Sequence, residues 1–356
     1  MPESAAVRVP AAPDPGTSGP AAPGRHPRSV PGASEKGRRR GPSPRTRLLV
    51  AGGAVVVAVL CFLFLFVKGS FDFAIERRLT LVGAMVVAAF AQGVGTVVFQ
   101  TVTHNRILTP SLMGFDAVYT LMQTLMVFFF GGTVLAATDG LAKLVVQTVL
   151  MVAFTTVLFR WLFSGPTGNL HVLLLAGVVL GVAFESLSLF LQRMLAPADY
   201  DVLSARLFGR LGSVGAEHLP FAFAVCAAAG LYLWRRRHRL DVLLLGRDAA
   251  TGLGLNHRGE LTGALIVVSL MVAMSTALVG PMTFFGFTAA LLAYQFSGTH
   301  RHAVVLPMAF LMGLLTLLVG QFTMEHIVYA SGMLTTVIEF LGGVVFLAYL
   351  LKKGTL

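Results

Sequence analysis

From Leu48 onward the chain alternates long apolar runs with short polar interruptions, and the runs recur at a membrane-spanning length. They fall at Leu48–Val67 and at about 79–102, 109–136, 142–163, 171–192, 219–234, 261–280, 281–297, 303–322 and 333–351. Each comes near the ~20 residues an α-helix needs to cross the hydrocarbon core of a bilayer. The pattern predicts an all-α, polytopic membrane protein with about ten transmembrane helices. The run at 219–234 is short, and Pro281 joins two runs with almost no loop, so the count carries a margin of one. Between the fifth and sixth runs, Ala196–His218 is too polar to cross and too long for a turn. Its Leu203, Leu207 and Leu211, at four-residue spacing, predict a short amphipathic helix lying at the outer surface.

Residues 1–47 break the pattern. They are mostly Pro, Ala, Gly, Ser and Arg, with nine basic side chains against three acidic ones. Such a segment buries too little apolar surface to offset its ordering entropy, so a disordered basic cytoplasmic tail is expected, with the permeation domain at 48–356. A signal peptide is the competing reading. The first apolar run, at 20 residues, exceeds a signal core of roughly 7–15 and has no cleavage site after it.

Composition agrees with lipid as the solvent. Of 356 residues 56% are hydrophobic and 12% charged, with a mean hydropathy of +0.79, against roughly 25% charged in soluble domains. The net charge of +11 would suggest nucleic acid in a soluble protein, but here its placement is topological. With the N-terminus inside, the cytosolic segments hold the tail, Arg106, Arg160, Arg301, Lys352 and Lys353. The loop at 235–258 adds six arginines against Asp241 and Asp248. Outside, Lys68, Arg77 and Arg78 face Asp72 and Glu76, and the other loops nearly cancel. Net positive charge on one side fits ten spans with both termini cytosolic. Cys61 and Cys226 sit inside apolar runs with no ligand pattern around them, which argues against zinc or redox chemistry.

Few motifs carry chemistry. No Walker A glycine loop occurs, Gly252-Leu253-Gly254 does not extend to a dinucleotide fingerprint, and no HExxH exists. The chain therefore reads as a non-enzyme. One polar, glycine-rich island, Leu244–Asn256, follows the basic cluster Arg235–Arg239 and belongs in the cytosol. With no nucleotide site on the chain itself, it is a place for a separate motor protein to push. Asp116, Glu185 and Glu339 lie at or inside the apolar runs. Ionisable groups there cost a few kcal/mol and face a cavity or a partner, so they are candidates for a translocation pathway or for interhelical hydrogen bonds. Gln123 and Gln192 read as interhelix glue. Gly177 and Gly181 form a GxxxG, suited to close packing within the bundle or at a subunit interface.

Five ordered segments carry a family resemblance. They are Glu76-Arg77-Arg78-Leu79; Gly95–Gln100 followed by His104–Gly114; Leu244–Asn256; Gly280-Pro281-Met282-Thr283-Phe284-Phe285-Gly286; and Gly332–Phe346. Together they resemble the permease subunits of iron–siderophore and vitamin B12 ABC importers, the FecCD family, from about residue 75 to the C-terminus. Departures are Arg106 for a proline, Ala290 and Leu291 for Pro-His, Val344 for the last proline, and Arg247-Asp248 for paired acids. The segments at 104–119 and 192–203 resemble a branch associated with catecholate-type siderophores.

The resemblance implies a type II ABC importer permease of ten spans in a bacterial cytoplasmic membrane. It implies a second permease subunit, identical or different, a cytosolic ATPase dimer that binds the ATP and magnesium, and an extracytoplasmic siderophore-binding protein. By matched position Gly246, Arg247, Asp248, Ala249, Gly252 and Gly254, within about 240–258, would couple to the ATPase. Arg77 and Arg78 would dock acidic residues of the binding protein, and no cofactor is implied on this chain. An echo of Arg78-Leu79-Thr80 in Glu260-Leu261-Thr262 fits inverted repeats. The expected function is import of a ferric siderophore. The rivals are another iron chelate, haem or vitamin B12 as cargo, a proton-coupled secondary transporter using Glu185 and Glu339, and a non-transporting scaffold.

Overall fold

The computed structural model describes residues 42–66, 71–137, 140–163, 170–207, 211–328 and 334–354. The expected disordered tail lies outside them up to residue 41, as does Gly332 of the last motif. Among the described residues every regular element is helical. The first helix, α1 (Pro44–Phe64), begins before the apolar run because Ser43 Oγ accepts from the Thr46 amide at 3.2 Å and Pro44 presets the first turn. Next come α2 (Phe71–Ala88) and α3 (Gly95–Thr103), joined by a π-helical turn at Ala89–Val94 into one rod of 33 residues. The rest are α4 (Phe115–Phe130), α5 (Gly132–Ala137), α6 (Leu141–Phe163), α7 (Leu170–Gln192), α8 (Pro197–Leu207), α9 (Leu219–Arg235), α10 (Arg237–Leu243), α11 (Arg247–Gly252), α12 (His257–Val279), α13 (Phe285–Ser297), α14 (His302–Thr323) and α15 (Leu334–Gly354).

Among the described residues, six helical segments are long and apolar enough to cross a membrane, at 44–64, 71–103, 175–192, 216–235, 257–279 and 302–328. Three shorter apolar helices, at 115–130, 141–157 and 334–349, accompany them. The run expected at 281–297 is only the 13-residue α13, because the chain breaks at Gly280–Phe284 and the helix starts late. The protein is thus a multi-pass, all-α membrane protein.

Burial sorts the segments. The α2–α3 rod has 78% of its apolar window inside the protein, α12 61% and the α14 segment 50%, whereas α1, α7 and α9 have 22%, 17% and 22%. The rod, α12, α13 and α14 therefore form the interior, sealed by Val98, Phe99, Val272, Phe285, Phe287 and Met308. The GxxxG of α7 packs inside this bundle. A side chain on Gly114, itself at φ 92°, would come within 3.0 Å of the Gly181 Cα, and one on Gly177 would meet Met113 at 3.2 Å. Gln192 Nε2 donates to Thr124 Oγ1 at 3.0 Å across the same α4–α7 seam, so it is the interhelical bond expected of it. The polar stretch after α7 does form a helix, α8, whose Leu203 is fully buried against Val127. Asp199 Oδ1 also accepts from the Gly132 amide at 2.8 Å.

Candidate coupling and translocation sites

The island at 244–256 is a small exposed step on a fastened base. Gly246 ends the turn after α10 at φ 92°, ψ 170°, a conformation open essentially to glycine alone. The single turn of α11 follows, exposing Arg247, Asp248, Ala249 and Gly252 while Ala250 is fully buried beneath them. Gly254, at φ 80°, turns the chain back, and Asn256 Oδ1 caps α12 by accepting from the Gly259 amide at 3.1 Å. Leu244, Leu245 and Leu253 are 39%, 61% and 66% exposed. Apolar side chains held out on a charged turn form an exposed ridge, the kind of surface that marks a contact with another protein.

Two polar groupings hold the base. Glu260, buried in the first turn of α12, accepts from Arg236 Nη1 at 2.7 Å and Arg239 Nη1 at 2.5 Å. The hydrogen bond to Glu260 pushes the Arg236 guanidinium pKa up, and the Tyr232 ring lies 4.5 Å from that guanidinium. On the other flank, Asp241 Oδ1 accepts from both the backbone amide and Nδ1 of His302, at 2.8 and 2.6 Å. The far ring nitrogen, His302 Nε2, lies 2.8 Å from Thr101 Oγ1; with Nδ1 donating to Asp241 it accepts the one hydroxyl proton, which the Val97 carbonyl, also 2.8 Å from that oxygen, would otherwise take. Sequence reasoning counted Asp241 only as a loop charge and missed Glu260, His302 and Thr101. A carboxylate in the first turn of a basic-flanked helix was the one visible signal.

Of the three membrane carboxylates, the structure brings two together. Thr283, in the break between α12 and α13, donates from Oγ1 to Asp116 Oδ2 at 2.9 Å and from its amide to Glu339 Oε1 at 3.4 Å. The second Asp116 oxygen is buried with no hydrogen-bond partner among the described residues. Glu185 is apart, exposed on the open flank of α7. Thr283 was missed as the bridge because it looked like one more residue of a loop motif.

The sequence profile of the FecCD transport family matches residues 48–353. The chain belongs to that family. It is a transport permease, with no catalytic centre of its own to assign. The petrobactin import system permease FatC of Bacillus anthracis is 38% identical over 287 residues, 81% of this chain and 81% of its own length. The petrobactin import system permease YclO of Bacillus subtilis (strain 168) is 36% identical over 302 residues, 84% and 96% respectively. A solved structure described as an inward-facing metal-chelate type ABC transporter superposes with a TM-score of 0.75, covering 87% of this chain and 100% of the other. At 18% identity it speaks for the fold.

In this FecCD permease Arg77 and Arg78 do not act as a pair. Arg77 is exposed, but Arg78 is only 6% exposed, which overturns the expectation of two surface arginines. Its Nη1 donates to the carbonyls of Phe62, Leu63 and Leu65 at 2.8, 3.2 and 2.8 Å, and Nη2 to that of Phe66 at 3.3 Å. The last carbonyls of a helix lack intrahelical donors and carry negative potential, and a guanidinium suits both needs. Glu325 Oε1 at 3.8 Å and His326 Nε2 at 3.4 Å complete the grouping. Arg78 thus ties α1 to α2.

Proposed function

We propose that this FecCD permease is the membrane component of an ATP-driven importer of a ferric siderophore in a bacterial cytoplasmic membrane. The observation that carries the reading is the exposed, glycine-bounded ridge at 244–256 on a base cross-tied to the bundle: the shape of a handle, on a chain without a nucleotide motif. A cytosolic ATPase dimer grips Gly246, Arg247, Asp248, Ala249, Gly252 and Gly254, and ATP binding and hydrolysis there switch the pore between outward and inward access. Ten spans with both termini cytosolic result if the three shorter apolar helices and α13 also cross. The siderophore assignment is supported by the names of the relatives, which makes ferric petrobactin the first cargo to test.

A second permease subunit covers the open flank of α7, since an exposed carboxylate such as Glu185 is costly against lipid. The extracytoplasmic binding protein docks at Arg77, where an exposed cation steers an acidic partner. Asp116 and Glu339, bridged by Thr283, belong to the translocation pathway.

The same bridged carboxylates favour a second reading, proton-coupled transport. The test is uptake of iron-55-loaded petrobactin in cells lacking the gene and complemented with wild type or Asp248→Arg. Wild type is expected to keep importing when the proton gradient is collapsed at constant ATP, and Asp248→Arg to import at background level although present in the membrane. Loss of wild-type uptake on collapse of the gradient, with normal uptake by Asp248→Arg, would install the proton-coupled reading instead. Asp248 is the cleaner site than Gly246, where any side chain adds about 1–3 kcal/mol of backbone strain.

A further inference from the structure

The polar connection beneath the coupling ridge has a shape that simple anchoring does not require. Asp241 sits on α10, the helix immediately before the ridge, and its carboxylate serves as the N-terminal cap of α14, whose own preceding residue, Arg301, supplies no side-chain cap. The same oxygen holds the imidazole of His302, and the far side of that ring reaches Thr101 in the last turn of α3. His302 and Thr101 are each 2% exposed. Three helices that meet nowhere near one another in sequence are therefore linked atom to atom, at 2.6–2.8 Å, directly under the exposed ridge. Two of them, α3 and α14, belong to the interior set of the bundle. Leu240 and Leu243 bury the apolar side of α10 at the same place, but apolar contacts tolerate sliding whereas hydrogen bonds of this length do not. Displacement of α10 must either break this connection or carry the ends of α3 and α14 with it.

We propose that Asp241, His302 and Thr101 are positioning residues that transmit movement of the coupling ridge to α3 and α14. The proposal rests on the coupling reading of residues 244–256. It assigns the Glu260 grouping a different part: that one closes the base of the loop onto α12, whose own first turn it occupies.

The test uses the assembled importer in proteoliposomes, with ferric petrobactin and the binding protein outside and ATP supplied to the ATPase. The readout is uptake per ATP hydrolysed, which a lowered amount of intact complex leaves unchanged. His302→Leu is expected to keep ATP hydrolysis while uptake per ATP falls about tenfold. His302→Asn retains a donor near the position of Nδ1 for Asp241 and is expected to recover most of the loss. Thr101→Val removes only the far arm and is expected to lower the ratio about threefold. If His302→Leu fails to assemble, His302→Asn and Thr101→Val decide on the same readout. Asp248→Arg, run in parallel, separates the two readings. Wild-type uptake and ATPase stimulation in Asp248→Arg overturn the coupling reading and the transmission proposal with it. Loss of uptake in Asp248→Arg with an unchanged ratio in the His302 and Thr101 variants overturns the transmission proposal alone.

Discussion

Arg78-Leu79-Thr80, two turns into α2, and Glu260-Leu261-Thr262, in the first turn of α12, echo one another in sequence, and their first residues do one job with opposite charge. Arg78 is buried and gathers the orphan carbonyls at the end of α1. Glu260 is buried and gathers the guanidiniums of Arg236 and Arg239. Each ties an interior helix to the chain segment that precedes it. The difference lies in what is tied. Arg78 secures a span, whereas Glu260 secures the foot of an exposed ridge. A charge count places both segments near a membrane surface; it does not say which charges are spent inside the fold.

The comparison can be broken by substitution. The largest effect is expected from Arg78→Ala, which leaves several buried carbonyls without a donor and should cost about 3 kcal/mol. Thermal unfolding in detergent should show it, with Arg77→Ala within about 0.5 kcal/mol of wild type. Equal effects of the two would show that Arg78 is not the tie it looks. Glu260→Gln is expected to cost about 1 kcal/mol, since both arginine partners are partly in water and solvent screens them. It should also increase proteolysis of the 237–256 loop, and an unchanged digestion pattern would deny Glu260 its role at the foot of the ridge. The smallest effect is expected from Gln192→Leu, which removes one interhelical hydrogen bond between α7 and α4 and should cost about 0.6 kcal/mol. A loss several times larger would make that seam polar rather than glycine-packed.

Much of this was legible in the sequence, for identifiable reasons. Spans show as runs because lipid imposes a length, and the ridge shows as a polar break with glycines where the backbone turns back. The small-residue spacing of Gly177 and Gly181 was legible, but not that Gly114 is what crosses them. Partners brought together by folding were not. His302 and Asp241 are 61 residues apart and His302 and Thr101 201; Thr283 finds Asp116 across 167 residues and Glu339 across 56. The burial of Arg78 depends on where α1 ends, which an apolar run marks only loosely. The short α13 was hidden because hydropathy runs straight through the Gly280–Phe284 break.

The central claim is that residues 244–256 are gripped by a separate ATPase, and a zero-length test of contact reaches it directly. A single cysteine at position 249, introduced as Ala249→Cys with Cys61 and Cys226 replaced by serine or alanine, should form a disulfide with single cysteines introduced on the ATPase surface when native membranes are oxidised by copper phenanthroline. A cysteine at position 77 should not. Cross-linking of residue 77 but not residue 249 to the ATPase would contradict the account.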